Sequence, residues 1–291
     1  MIMQNIIGGL GNQMFQYAFI YAQSRIRNTS FKLDISSFKT YPLRKYTLNR
    51  YNIKNITASF KEIDQLKFKH EGTLERLTRK LQHKPRPLAS SYYKESSMEF
   101  DPNVFNQNGD IYFDGYWQSE RYFHNYRNEL LDQFTLKSSI QEKTKKYLEI
   151  LFSCSSISLH IRRGDYITNK TTNSIHGACD ISYYRKAMSR VMMDIKQPNF
   201  FIFSDDLTWA KDNLSINEPA TFIELDNEFS DCDEIFLMSQ CKHNIIANSS
   251  FSWWGAWLNQ NPEKTVIAPQ HWFRDNTLQT NDMIPVTWIR L

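Results

Sequence analysis

Ser156-Ile157-Ser158-Leu159-His160-Ile161-Arg162-Arg163-Gly164-Asp165-Tyr166 lies near the middle of the 291-residue chain and organises what surrounds it. Ile157, Leu159 and Ile161 alternate with polar neighbours, a period that predicts a short strand. The strand runs directly into two arginines, a glycine and an aspartate. In open α/β sheets ligands sit beyond the carboxyl ends of the strands, so this placement suits a binding site. Two adjacent guanidinium forks suit a diphosphate, because each is permanently charged and grips two oxygens at once. A surface turn with two solvated arginines would show the same pair. The strand, the turn glycine and the flanking His160 and Asp165 favour a site.

Downstream, apolar runs at residues 199–203, 221–225, 244–247 and 265–268 predict strands. Between them, residues 182–195, 207–214, 231–241 and 252–258 predict helices. That alternation means βαβ crossovers and a parallel sheet covered on both faces. Upstream, residues 3–7 predict a strand, Gly8-Gly9-Leu10-Gly11-Asn12 a tight turn, and residues 13–27 a helix with Phe15, Ala18, Phe19, Ala22 and Ile26 at helical spacing. This opening is Rossmann-like, but the dinucleotide fingerprint is broken. After Gly9-Leu10-Gly11 the position that should be Gly or Ala is Met14, and no well-placed acidic residue follows. Gly9, Gly11, Asn12 and Gln13 are therefore read as a close-approach turn near the cleft, structural or ligand-facing, and not as an NAD site.

Residues 31–34 and 111–117 predict two more strands, and Ser119 a cap for a helix carrying Tyr122, Phe123, Tyr126 and Leu130. A basic, helical stretch ends at Pro85-Arg86-Pro87, and residues 137–151 predict a connecting helix. The expected fold is α/β, with two Rossmann-like domains, 1–145 and 146–291. Their boundary falls between residues 134 and 156, and the cleft between such domains is where ligands usually bind.

A hydrophobic share of 41% supports a full core, which sets disorder aside. The net charge of +4 is local: residues 61–94 hold nine Lys and Arg against four Asp and Glu. Such a segment can face nucleic acid or an anionic membrane, although a solvated helical face is commoner. No recognition helix or stacking platform accompanies it, so nucleic acid is not an expected partner. No apolar run reaches the roughly 18–20 residues that cross a bilayer, and Met1-Ile2-Met3-Gln4-Asn5 lacks the features of a signal peptide. Cys154, Cys179, Cys232 and Cys241 form no C-x-x-C pair. A soluble cytoplasmic protein with free thiols is the expectation.

Three strand ends of the second half point at one place: residues 160–165, Ser204-Asp205-Asp206, and Asn248-Ser249-Ser250-Phe251-Ser252. The third opens a helix, whose free N–H groups and partial positive charge receive phosphate oxygens. Ser250 or Ser252 as a plain helix cap is the competing account. Together with Arg162 and Arg163, a nucleotide diphosphate explains more. Asp205 and Asp206 lack a partner carboxylate at useful spacing for a metal, and a carboxylate can accept two hydrogen bonds from a guanine edge; one of the two can instead cap the next helix. Trp253, Trp254 and Trp257 read as core.

At this point a family resemblance is specific. Gly8-Gly9-Leu10-Gly11-Asn12-Gln13-Met14-Phe15-Gln16-Tyr17-Ala18 resembles the opening motif of the bacterial and animal α-1,2-fucosyltransferases. His160-Ile161-Arg162-Arg163-Gly164-Asp165 is similar to the H-x-R-R-x-D signature that they share with α-1,6- and protein O-fucosyltransferases. Gly115-Tyr116-Trp117-Gln118-Ser119-Glu120 and residues 241–258 resemble further α-1,2 blocks, and the weak stretch is residues 40–86. The resemblance implies the GT-B fold, two facing Rossmann-like domains with a cleft, and GDP-β-L-fucose as donor. It implies metal-independent transfer with inversion, with no cofactor, to O2 of a galactose, in bacterial surface polysaccharide synthesis.

Carried onto this chain, Arg162 would hold the β-phosphate with Arg163 in support. His160 and one of Asp205 or Asp206 would read guanine, and Ser250 and Phe251, with Asn248 and Ser249 beside them, would bind the diphosphate. Asp165 is the first expectation for the base, ahead of Asp114 and Glu120. Animal members carry a membrane anchor that is not seen here, which implies a bacterial-type enzyme at the cytoplasmic side. Acceptors of such enzymes are often lipid-linked, so residues 61–94 are expected to dock on anionic lipid. The competing functions are another nucleotide-sugar transferase and a non-catalytic nucleotide- or glycan-binding module.

Overall fold

The computed structural model describes residues 1–40, 44–225, 230–275 and 277–291. The chain divides into two compact units, Met1–Phe134 and Thr135–Leu291.

The first unit contains β1 (Ile2–Asn5), α1 (Leu10–Ile26), β2 (Phe31–Asp34), α2 (Phe60–Lys67), α3 (Thr73–Leu81), β3 (Tyr92–Lys94), β4 (Ile111–Asp114) and α4 (Arg127–Gln133). Its four strands pair in parallel in the order β2-β1-β4-β3. Helix α1 begins at Leu10, so Gly11, Asn12 and Gln13 belong to its first turn and not to a loop before it. Gly8, at φ +86°, makes the turn; a Cβ there would also stand 2.9 Å from the Asn12 amide nitrogen. The buried Gln13 side chain then fastens that turn, donating to the carbonyls of Gly8 (2.9 Å) and Lys45 (2.8 Å).

Strand β4 stops three residues earlier than its apolar run suggests. Trp117 takes a left-handed φ of +56°, and its indole turns back to stack on Phe19 at 4.1 Å and to donate to Gln4 at 3.0 Å. Ser119 does cap, but it caps a single 3-10 turn, Glu120–Tyr122, and α4 starts only after a second such turn. The basic stretch splits into α2 and α3, and β3 follows it where the sequence predicts no strand.

The second unit contains α5 (Glu142–Phe152), β5 (Ser155–Ile161), α6 (Gly164–Thr168), α7 (Lys170–Ile175), α8 (Ile181–Asp194), β6 (Pro198–Ser204), α9 (Leu207–Asn213), β7 (Ala220–Phe222), α10 (Ser230–Gln240), β8 (His243–Ile245), α11 (Ser250–Leu258), β9 (Val266–Ala268) and β10 (Ile289–Arg290). Residue 145, where the first expected domain ends, lies inside α5, and α5 packs on α10 and β5 of the second unit. All six strands are parallel, in the order β10-β9-β8-β5-β6-β7. Two successive crossovers build outward from β5 through β6 to β7, and the chain then returns to the other side of β5 through β8, β9 and β10. This is the doubly wound Rossmann order, and the direction reverses between β5 and β8.

Burial explains the strength of β5. Ile157, Leu159 and Ile161 pack under α8 with Tyr184, Ala187, Met188 and Val191. The alternate positions Ser156, Ser158 and His160 are buried as well. Ser158 accepts from the Asn244 amide at 2.7 Å, and Asn244 in turn accepts from Asn259 at 2.8 Å, so the serine at the middle of the second face is satisfied. Trp253, Trp254 and Trp257 are core, as their helical spacing predicts. Among the described residues no helix is long and apolar enough to cross a membrane.

Candidate functional site

The carboxyl ends of β5 and β8 are neighbours in the sheet, at the point where strand order reverses. Here the sheet opens a crevice, because the connections leave in opposite directions. The loop after β5 carries Arg162 and Arg163, and the loop after β8 carries residues 246–249 into the first turn of α11. The third expected strand end, after β6, lies on the far side of β5. One sheet edge thus gathers His160, Arg162, Arg163, Asp205, Asp206 and Asn248.

Arg162 is held by two carboxylates. It pairs with Asp165 one turn ahead, and with Asp205 at 2.8 Å. Asp205 also accepts from the Arg163 backbone N–H at 2.8 Å, while Arg163 Nε pairs with Asp206 at 3.2 Å. The Arg163 guanidinium lies 3.8 Å over the Trp209 ring, which fixes its plane. Gly164 permits the approach: a Cβ there would stand 2.5 Å from Asp205 Oδ2. Of the two aspartates, Asp206 is the helix cap, accepting from Trp209 N–H at 3.1 Å at the start of α9. Three carboxylates around two guanidinium groups leave no excess positive charge in this cluster, so an incoming anion must take over part of the arginine coordination.

The α11 side is less encumbered by acids. Ser249, and not Ser250 or Ser252, is the N-cap, accepting from Phe251 N–H at 3.3 Å. Asn248 is buried and fixes the loop, donating to the carbonyls of Gly177 (2.8 Å) and Trp272 (3.1 Å), while its own carbonyl accepts from the Tyr166 hydroxyl at 3.2 Å. Phe251 brings its ring within 5.4 Å of the His160 ring. His160 is buried, and burial, with the charge of Arg162 second, pushes its imidazole down to about 3. It is neutral at physiological pH. Its Nδ1 has no hydrogen-bond partner among the described residues. Beside Asn248 a cavity of about 200 Å³ opens against His176, Cys179, Phe273 and Arg274.

Two carboxyls that the sequence did not single out stand out on chemistry. Burial, and after it the carboxylates of Asp231, Asp205 and Asp233, pushes Glu234 of α10 up to about 8. In the first unit Glu95 accepts from the backbone N–H groups of Tyr116 (2.6 Å) and Trp117 (2.9 Å), yet burial still lifts it to about 7. Asp114, at the end of β4, adds to that lift and accepts from Asn5 at 2.9 Å. Neither glutamate had a local signal for the largest cause, burial, although Asp231 and Asp233 stand beside Glu234 in sequence. At the same carboxyl end of the sheet, Asn12 accepts from Gln118 at 2.7 Å, which ties α1 to the segment after β4. The expected base Asp165 sits in the arginine cluster, and Glu120 opens the 3-10 turn after Ser119.

Residues 1–291, the whole chain, match the profile of glycosyl transferase family 11. The chain belongs to glycosyl transferase family 11. Its relatives in that family include an alpha-1,2-colitosyltransferase of Escherichia coli, 36% identical over 295 residues, covering 100% of this chain and 98% of the relative. The O-antigen biosynthesis glycosyltransferase WbnK of Escherichia coli is 35% identical over 303 residues, covering 98% of each. A galactoside alpha-(1,2)-fucosyltransferase 2 of Gorilla gorilla gorilla is 24% identical over 261 residues, 87% of this chain and 68% of that one. In structure, the alpha-1,6-fucosyltransferase NodZ from Bradyrhizobium, soaked with GDP-fucose, superposes with a TM-score of 0.52 at 13% identity, over 88% of this chain and 91% of that one. That likeness shows the fold alone, and it is the expected one: the family 11 chain has the GT-B fold of the fucosyltransferases.

Proposed function

We propose that this glycosyltransferase moves L-fucose from GDP-β-L-fucose to O2 of a terminal galactose with inversion, forming an α-1,2 linkage in a bacterial surface polysaccharide such as O-antigen. The observation that carries this reading is the crevice where strand order reverses, with an arginine pair on β5 and a serine-capped helix start on β8. The names borne by the relatives support the linkage, the acceptor class and the pathway.

As GDP departs, negative charge gathers on the β-phosphate while the fucosyl ring becomes cationic. A pre-placed arginine that tightens on that phosphate lowers the barrier, because the interaction is stronger in the transition state than before it. In this reading Arg162 is that group, with Arg163 and the α11 N-terminus completing the diphosphate cradle. Asp165 and Asp205 are positioning residues that keep Arg162 aimed until the anion arrives. His160, held neutral, meets the guanine edge together with one of Asp205 or Asp206. Positive charge comes from side chains and a helix dipole, so the scheme needs no metal, and full turnover in the presence of EDTA is the expected result.

The acceptor hydroxyl must lose a proton. Asp165 already gives an oxygen to Arg162. Asp165 stays the first candidate for the base, and Glu95, which burial lifts to about 7, is the second to be tested.

A second donor has a specific observation behind it. The relative at 36% identity is named for colitose, whereas the one named for fucose stands at 24%. The deciding experiment incubates the purified chain with GDP-fucose, GDP-colitose or a UDP-sugar and a galactose-terminated acceptor such as lactose, and determines the product linkage. An α-1,2 fucosylated trisaccharide supports the first reading, and transfer from GDP-colitose alone replaces the donor. GDP binding without transfer from any donor would make the chain a binding module.

A further inference from the structure

Helix α3 breaks the packing rule that the other long helices obey. It buries none of its nine residues, whereas the neighbouring α2 tucks Ile63 into the unit. Leu74, Leu77 and Leu81 are 78%, 55% and 81% exposed. Positions i, i+3 and i+7 share one face of a helix, so the three leucines form a single stripe. In a soluble domain such a stripe points at the core. Here the opposite side of the helix is the attached one: Arg79 pairs at 2.6 Å with Glu71, whose side chain is only 9% exposed, and donates to the Lys84 carbonyl at 3.2 Å. Arg86 carries the tie on to Asp64 at 3.1 Å. The polar side is fastened down and the leucines face out. A helix this short is marginal in water without an apolar partner.

The charge beside the stripe says what that partner is. Lys80 borders it on one side, with Arg76 farther round the helix and Lys84 just beyond its end, and the one acid of the helix, Glu75, is spent on the cap, accepting from the Gly72 N–H at 3.1 Å. An exposed leucine stripe on a net basic helix describes a helix lying in the headgroup layer, its apolar face among acyl chains and its long basic stems reaching lipid phosphates. We infer that α3 is an interfacial anchor that inserts Leu74, Leu77 and Leu81 into an anionic phospholipid surface. The inference does not depend on which sugar the enzyme transfers.

The test uses the full chain with extruded vesicles of phosphatidylglycerol or of phosphatidylcholine, separated by flotation at low salt. Wild type floats with phosphatidylglycerol and stays behind with phosphatidylcholine. The triple variant Leu74→Ser, Leu77→Ser, Leu81→Ser binds at least ~10-fold more weakly. The triple variant Arg76→Glu, Lys80→Glu, Lys84→Glu loses about a hundredfold. All six positions lie outside the core, so circular-dichroism melts of both variants match wild type. Failure of wild type to float with phosphatidylglycerol, or equal flotation of wild type and the serine variant, overturns the anchor. A dimer in light scattering that the serine variant abolishes also overturns it, and gives the stripe to a second copy of the chain.

Discussion

Arg162 sits between the carboxylates of Asp165 and Asp205, and its value lies in being planar as well as charged. A lysine would keep the charge but lose the two-pronged hold on both acids and phosphate. Arg162→Lys is therefore expected to lower kcat about a hundredfold or more at saturating donor, with the fold intact by circular dichroism. Turnover within a few-fold of wild type would take the β-phosphate role from Arg162. Glu95 offers a sharper readout, because burial holds it at about 7. Were Glu95 the base, the kcat/KM profile would show an acid limb near that value, and Glu95→Gln would abolish the limb together with most of the rate. A profile unchanged in the variant leaves the base with Asp165, where Asp165→Asn is the next measurement. At this scale the arginine pair was legible, since strand, turn and charge sit in one stretch. Glu95 was not: its donors come from Tyr116 and Trp117, which only the fold of the first unit brings to it.

Among the elements, α10 and α11 make the closest helix contact with a marked glycine. A Cβ on Gly255 would stand 2.7 Å from Met238 Cβ, an atom fixed to the α10 backbone. Gly255→Ala must push the two helices apart, which is expected to destabilise the chain by about 1–3 kcal/mol in urea unfolding. It should also weaken donor binding, because α11 carries the expected diphosphate site at its other end. An unchanged midpoint would mean that the helices have slack. The βα alternation of the second half was readable from period and length. Strand β10 and the helices α6 and α7 were not, since two strand residues or five or six helical ones give no periodicity, and packing alone fixes them.

For the whole molecule, two properties follow. Glu95 and Glu234 have folded values of about 7 and about 8, raised above the ordinary 4.5, so the native state binds their protons more tightly than the unfolded chain does. Stability from this source is complete below 4.5 and is lost as pH rises through those values. His160 acts in the opposite sense, but only between its folded value of about 3 and the ordinary 6.5. From pH 6.5 to pH 8 the Tm should therefore fall by a few degrees. Glu234→Gln should flatten part of that decline, by up to ~2 kcal/mol; a variant as pH-sensitive as wild type would place the effect elsewhere. GDP, binding only the folded chain, should raise stability by about 2.7 kcal/mol at a hundred times its Kd, and UDP should not; equal shifts from both would remove guanine recognition. From the sequence alone came the α/β class, the division into two units, the arginine pair and the serine-rich helix start, because each depends on neighbours a few residues apart. The tertiary structure alone decided that Ser158 and His160 are buried and not solvent-facing, that Asp205 and Asp206 hold the arginines, and that Glu95 and Glu234 titrate near neutral pH. Those outcomes are set by which surfaces lose water and which charges meet across a sheet, and local sequence encodes neither.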